Sequence, residues 1–394
     1  MSEAVFAPTD EAQAAEIVRA SQIPGAIDIV GGDTRRGFGR PRVGARQMSM
    51  AKLSGIVFHE PAEMILRARS GTPMRAIEAS LDAHKQILPF EPMDPRPLWG
   101  TTGEPTVGGL VACALSGPRR ISAGAVRDSL IGLRFVNGAG EILNTGGRVM
   151  KNVTGLDLVK ILCGSHGTLG LTLEATFKLL PRPETEATIV LRRLDDISAI
   201  EAMSRALGSP YGLSGVATIH AGMGRDFPRT LLRLEGFSES VAYRVERLQT
   251  LLAEYDPRHV LNPPESDRMW RSIRDLDFLA EPRERAIWRV SVKPSLGAQL
   301  LKHIGQTALA SLLDWGGGIV WIASDATEAA ATTIRAATRA CGGHATLMRA
   351  ADWLRGRIDV FEPPSPWAMA QTQKLKASLD PHSLFNPGRM YADV

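Results

Sequence analysis

The chain of 394 residues has only three cysteines, Cys113, Cys163 and Cys341, far apart and set in apolar or glycine-rich surroundings. No C-x-x-C pair occurs, which argues against a zinc ribbon or a self-contained iron–sulfur cluster. The thiols read as buried groups of a reducing compartment. No Gly-Lys pair occurs either, so the P-loop pattern G-x-x-x-x-G-K-[ST] is missing. The eight histidines (59, 84, 166, 220, 259, 303, 344, 382) show no ligand spacing such as H-E-x-x-H, which predicts no protein metal site.

Excess charge is also lacking. Forty-six Lys+Arg stand against 42 Asp+Glu, a formal charge of +4 and too mild a surplus to point to nucleic acid. No apolar run approaches the ~20 residues that span a bilayer. The start, Met1-Ser2-Glu3-Ala4, has no basic region followed by an apolar core. These absences predict a cytoplasmic chain, peripheral to a membrane only through a partner.

What the chain does have is glycine (38) and proline (25), spread along its length, which implies many tight connections and no low-complexity linker. Helical periodicity runs from Glu11 to Ser21. A short apolar strand, 26–30, leads directly into Gly31-Gly32-Asp33-Thr34-Arg35. Further strands are predicted near 48–53, 55–58 and 64–68, then a helix from Thr72-Pro73 to about Ala83. A small-residue helix over Leu110–Leu115 and a hairpin of Leu130–Asn137 with Glu141–Leu143 come next. The strand at Leu171–Leu180 stops at Pro181 and Pro183, which places a domain boundary there. Beyond it, strands at 188–194, 288–292 and 318–322 alternate with helices at 199–206, 244–254 and 328–340. That alternation implies a smaller antiparallel α+β second domain, over 182–379. The last segment, 380–394, reads as an ordered tail.

Three glycine segments carry the chemistry. The turn Gly31, Gly32, Asp33, Thr34, Arg35 leaves backbone N–H groups free to converge on an anion, with Thr34 and Arg35 as added donors. It is not a Rossmann fingerprint, because Gly37-Phe38-Gly39 is followed by Arg40-Pro41-Arg42. The second segment holds Thr106-Val107-Gly108-Gly109 and then Ser116-Gly117-Pro118-Arg119-Arg120; its glycines allow backbone to approach a flat, extended ligand. The third is Gly164-Ser165-His166-Gly167-Thr168-Leu169-Gly170-Leu171. It fails G-x-S-x-G because position 163 is Cys163, and adjacent Ser and His cannot form triad geometry by themselves, so His166 is not taken as catalytic.

The order of Gly-Gly-Asp-Thr, Thr-Val-Gly-Gly, Arg127-Asp128, Gly155-Leu156-Asp157-Leu158 and Gly-Ser-His-Gly-Thr-Leu-Gly, closed by Asn386-Pro387-Gly388, resembles the FAD-binding domain of the vanillyl-alcohol oxidase family. Ser116–Arg120, Ala125–Asp128, Val149–Gly155 and Phe385–Tyr391 look like the FAD-binding E subunits of glycolate oxidases. The resemblance implies an α+β fold, with a two-subdomain FAD-binding domain of the PCMH type over 1–181 and the tail returning to the FAD site. It implies non-covalent FAD, since the first loop lacks the histidine that tethers flavin in some relatives. By the same resemblance Gly31–Arg35 would wrap the pyrophosphate, and Thr106, Val107, Gly108 and Gly109 would form a second wall. Ser116, Gly117, Arg119 and Arg120 would lie near the flavin or ribityl chain. Gly167, Thr168, Gly170 and Leu171 would contact the adenosine part, and Asn386 would approach the isoalloxazine.

The resemblance further implies a larger FAD-containing subunit and an iron–sulfur subunit as partners, and a small 2-hydroxy acid as substrate. Relatives that oxidise such acids often carry a Gly-His-x-Gly-Asp-Gly-Asn-x-His segment. Here Trp315-Gly316-Gly317-Gly318-Ile319-Val320-Trp321 has no His or Asp after its glycines. Arg289, Lys293 and His220 are the second domain's candidates for substrate contact, and the catalytic base stays unassigned. Three roles therefore stay open: subunit of a glycolate- or D-lactate-oxidising complex, non-catalytic FAD-binding or relay subunit, and free-standing oxidase of a sugar or lactone.

Overall fold

Sheets of three, five and eight strands, with a two-stranded pairing of Gln86–Ile87 and Leu180–Pro181, organise the chain, whose computed structural model describes residues 4–21, 26–41, 46–147, 156–222 and 226–394. The Val149–Gly155 motif lies outside them.

The first sheet is parallel, in the order Ala4–Phe6, Arg46–Ser49, Ile27–Val30. Helix Glu11–Ala20 connects the two outer strands of this sheet. It starts where the Asp10 carboxylate accepts the Gln13 N–H at 2.8 Å, and it buries Ala14, Ala15 and Val18. The second sheet is antiparallel, in the order Ile56–Glu60, Ile65–Arg69, Leu171–Lys178, Leu130–Val136, Ile142–Gly146. Helix Met74–Ala83 packs Met74, Ile77 and Leu81 into the core of this second sheet.

The small-residue helix spans Val107–Cys113, starting three residues and ending two residues earlier than its sequence suggests. Thr106 caps it, its hydroxyl accepting the Gly109 N–H at 3.3 Å. Ala114, in the left-handed region at φ 49°, ends it.

The largest sheet is antiparallel throughout, ordered His259–Leu261, Thr185–Arg192, Arg229–Gly236, Gly215–Ile219, Ala310–Asp314, Ile319–Ser324, Ala286–Ser291, His344–Arg349. It makes the second lobe larger than its sequence implied. One face is covered by helices that include Asp196–Leu207, Ser238–Leu251 and Glu328–Ala340. The other face, carrying Ile287, Leu312, Ile319 and Trp321, packs on Phe38, Met93 and Leu98 of the first lobe. Because side chains alternate along a strand, Arg289 and Asp314 share that inner face with Ile287 and Leu312.

A buried ion cluster crosses the seam. Arg233 donates to both oxygens of Glu91 at 2.7 and 2.9 Å, and Arg119 donates to both oxygens of Glu235 at 2.7 and 3.0 Å. Burial alone would raise the Glu235 carboxyl, but Arg233 and the hydrogen bond from Arg119 hold it down to about 2. Glu91 is likewise lowered by its two arginines against the cost of burial. Cutting the cluster strands a charge, so Glu91→Ala is expected to cost ~3–5 kcal/mol in urea unfolding. Because the folded Glu235 pKa is depressed, its contribution to stability is complete above pH 4.5 and fades as pH falls toward about 2. Glu235→Gln should flatten the acid limb of the stability curve in that window; an unchanged slope would contradict this assignment.

Candidate cofactor site

The cleft forms where strand Ile27–Val30 runs out into Gly31. A Cβ on Gly31 would meet the Thr106 hydroxyl at 2.3 Å, and one on Gly32 would meet the Glu104 carbonyl at 1.6 Å. A Cβ on Gly103 would meet the Gly32 carbonyl at 1.9 Å. The two turns therefore interlock backbone to backbone, which glycine alone allows here. Within the described residues, the N–H groups of Gly31 to Arg35 meet no acceptor. Arg35 is buried, and its Nε has no partner. Burial lowers its pKa, while Cys113 and Asp94 act in the opposite direction.

From the far side the tail closes in. Asn386 accepts the Ile29 N–H at 2.9 Å on Oδ1 and donates from Nδ2 to the His166 carbonyl at 2.7 Å. Its backbone N–H binds Ile27 O at 3.0 Å, so the tail continues the first sheet by one bridge at Phe385. Arg389 donates to the carbonyls of Arg40 (2.6 Å), Phe38 (2.5 Å) and Arg36 (2.9 Å), fixing the loop after the glycine turn. The tail is itself anchored by Lys376, whose Nζ donates to Asp380 at 2.8 Å, Thr168 O at 2.6 Å and Phe385 O at 3.0 Å. Asp380, fully buried, accepts the N–H groups of Leu384 and Phe385.

Together these segments enclose a cleft of about 860 Å3, counted out to its open mouth. Gly31, Gly32, Asp33, Thr34, Arg35, Thr106, Gly108, Gly109, Gly167, Gly170 and Asn386 all line it. Val107, Thr168 and Leu171 do not. Val107 is in the core of the first lobe with its N–H on Thr72 O, Thr168 turns its hydroxyl to Ser165 O, and Leu171 packs behind the parallel sheet. Their neighbours Gly108 and Thr172 face the cleft instead, as helix rotation and strand alternation require.

Nor does the structure bring Ser116, Gly117, Arg119 and Arg120 into the cleft lining. Ser116 accepts the Val126 N–H, Gly117 sits on the Phe90 and Glu91 carbonyls, and Arg119 joins the ion cluster. Arg120 lies over the Trp315 ring. His166 lines the cleft, but its ring is wedged edge-on against Phe38 and Phe361, at 4.7 and 4.9 Å between centroids. Burial, with Arg389 adding to it, pushes its pKa down to about 3, so the imidazole is neutral at physiological pH. Of the second-domain candidates, His220 is bound to Asp196 and Ser311.

Lining residues that sequence reading did not assign to the site include Met50, Ser70, Ala112, Cys113 and Thr172. The Ser70 hydroxyl is buried without a partner, a second unused polar group in the same cleft. Arg389 belonged to the closing motif quoted above, and only its role was unread.

A row of free N–H groups and two unused polar side-chain groups, one of them on the buried Arg35 guanidinium, suit a long, anionic, partly flat ligand. Comparison with known proteins decides which. The family description "FAD binding domain" matches residues 2–146. Glycolate oxidase subunit GlcE of Escherichia coli is 38% identical over 373 residues, 93% of each chain. The chain is a GlcE-like member of the vanillyl-alcohol oxidase family. GlcD, the glycolate oxidase subunit of Bacillus subtilis, is 44% identical over 85 residues, covering 22% of this chain and 18% of GlcD. The 4-ethylphenol oxidase from Gulosibacter chungangensis has the same fold at TM-score 0.72 and 12% identity, over 99% of this chain and 89% of the oxidase. FAD is thus the cofactor of this GlcE-like chain, an FAD-linked oxidoreductase, and the cleft fits it. No described helix is long and apolar enough to cross a membrane.

Proposed function

We propose that this GlcE-like chain is the FAD-binding subunit of a complex that oxidises a small 2-hydroxy acid, glycolate or D-lactate. The observation that carries the proposal is the 38% identity to a glycolate oxidase subunit along 93% of the chain. The glycine cleft supports it with a physical place for the cofactor. Residues 1–181 and the tail 380–394 would form the FAD-binding domain, and 182–379 the substrate-side domain.

In this reading Gly31 to Arg35 supply N–H groups and a guanidinium to the pyrophosphate, and Thr106, Gly108 and Gly109 let it approach closely. Gly167 and Gly170 leave room for the remainder of the cofactor, and Asn386 holds the wall it leans on. FAD is held without a covalent bond. When bound, it supplies at flavin N5 the acceptor for the hydride at C2 of the acid. The chain's part is to bind and orient the cofactor. Electrons would leave to the iron–sulfur partner that the family resemblance implies, a division that the three separate cysteines fit.

The test is anaerobic addition of glycolate or D-lactate to the FAD-loaded chain, alone and assembled with its larger flavoprotein and iron–sulfur partners. Loss of flavin absorbance in the assembly is the expected result. An assembly whose flavin stays oxidised with both acids would overturn the substrate assignment.

A further inference from the structure

We propose that Arg120, Trp315 and Arg289 form the carboxylate-binding site for the acid substrate, an inference that rests on the functional reading above. The three residues meet across the seam between the lobes. Arg120 comes from helix Arg120–Ala123 of the first lobe, Arg289 from strand Ala286–Ser291, and Trp315 from the turn after strand Ala310–Asp314.

The Arg120 guanidinium lies 4.6 Å from the Trp315 ring centroid, and that of Arg289 lies 5.2 Å from it. Arg289 is also 5.9 Å from the Trp321 ring. Each such contact is favourable, but two guanidiniums over one indole repel each other. Neither arginine has an ion-pair partner among the described residues, and neither side chain has a hydrogen-bond acceptor there. Asp128 and Asp314 act on them only at longer range. Elsewhere in the seam the buried arginines are neutralised, as Arg119 and Arg233 are by Glu91 and Glu235.

The indole adds the second observation. Trp315 Nε1 is buried and has no hydrogen-bond partner. A buried donor left unused is uncommon, and here two cations lie over the same ring. Trp315 is also held in the left-handed region, at φ 52°, which a bulky residue seldom adopts. The Asp314 carboxylate fixes that turn by accepting the Trp315 N–H at 2.8 Å. Burial, with Arg120 nearby, lowers the Arg289 pKa to about 10, so it stays charged at neutral pH.

Two guanidiniums and an N–H donor match the donor needs of one small carboxylate. The site is on the inner face of the large sheet, where Trp315 packs in the same cluster as Cys113, a cleft residue. It recognises the acid group and leaves the rest of a short substrate toward the cofactor side.

The test uses oxalate as the ligand, titrated into the FAD-loaded full chain by calorimetry. The wild type is expected to bind oxalate at a single saturable site. Arg289→Gln should weaken it by roughly 10- to 100-fold, the loss of a charge-assisted hydrogen bond, and Arg289→Lys should recover part of that. Trp315→Phe keeps the ring and removes only the N–H; it should weaken oxalate by about 10-fold without changing flavin content or Tm. A wild-type chain that holds flavin but binds no oxalate would overturn the site. Oxalate binding at wild-type strength in the Arg120→Gln, Arg289→Gln double variant would do the same. A wild-type chain that holds no flavin strikes the functional reading instead, so the two failures are distinguishable.

Discussion

Replacing Gly32 with alanine is expected to give a folded chain that carries almost no flavin. The cause is space and not backbone conformation: the new Cβ would stand 1.6 Å from the Glu104 carbonyl oxygen and 2.6 Å from its carbon. Both atoms are backbone, so no side chain can swing aside. One of the interlocked turns must move, and with it either the free N–H row or the Thr106 wall. Overpacking of this kind costs ~3 kcal/mol or more, about 100-fold in affinity if the loss falls on the bound state. The second lobe has its own core and should keep its structure. Gly147→Ala is the control, since its Cβ would have nothing within 4 Å. Flavin absorbance per chain after gel filtration checks both. A Gly32→Ala chain with a full complement of flavin would mean that the turn is not part of the cofactor site.

Asp380→Ala is expected to detach the tail. The change leaves the Lys376 ammonium buried without its counter-ion, and it removes the acceptor of two backbone N–H groups at Leu384 and Phe385. Breaking a buried pair at one partner costs ~3–5 kcal/mol, and for a lobe of this size that lowers Tm by roughly 6–20 °C. The functional effect follows from geometry. Asn386 and Arg389 hold the cleft from the tail, and both lose their position when Phe385 leaves Ile27. Flavin should therefore be lost on heating below the unfolding of the second lobe, read by the rise in free-flavin fluorescence. A variant whose flavin and Tm match the wild type would show that the tail is not held by this pair.

The parts of the site that were legible in the sequence are those where geometry forces a residue type. Gly31 and Gly32 have to be glycine because Thr106 and Glu104 press on them, and a pair of glycines after a short apolar strand announces such a turn. Asn386 was legible only through the family resemblance of its Asn-Pro-Gly context. Met50, Ser70 and Thr172 were not legible, because they reach the cleft from separate strands and turns that only the tertiary fold brings together. Within a recognised segment, choosing the right neighbour failed for the same reason. Leu171 and Thr172 are adjacent, yet strand alternation sends one to the core and the other to the cleft.

The second lobe was read least well. Strand Gly215–Ile219 is buried at all five residues, so it shows none of the alternation that marks a half-exposed strand, and it went unread. Helix Pro366–Leu379 has little amphipathic contrast and went unread, although Ser365-Pro366 is a helix-start signal, Ser365 accepting the Ala368 N–H. The Arg119 side chain belonged to a recognised motif, but its salt bridges reach to Glu235, 116 residues away, which no local pattern encodes.

The most direct test of the account is the flavin content of the purified chain after reconstitution with FAD and removal of the free cofactor. The account predicts one FAD per chain, released by acid without covalent residue and absent from the Gly32→Ala variant. A chain that takes up no flavin, or a variant that takes up as much as the wild type, would contradict it.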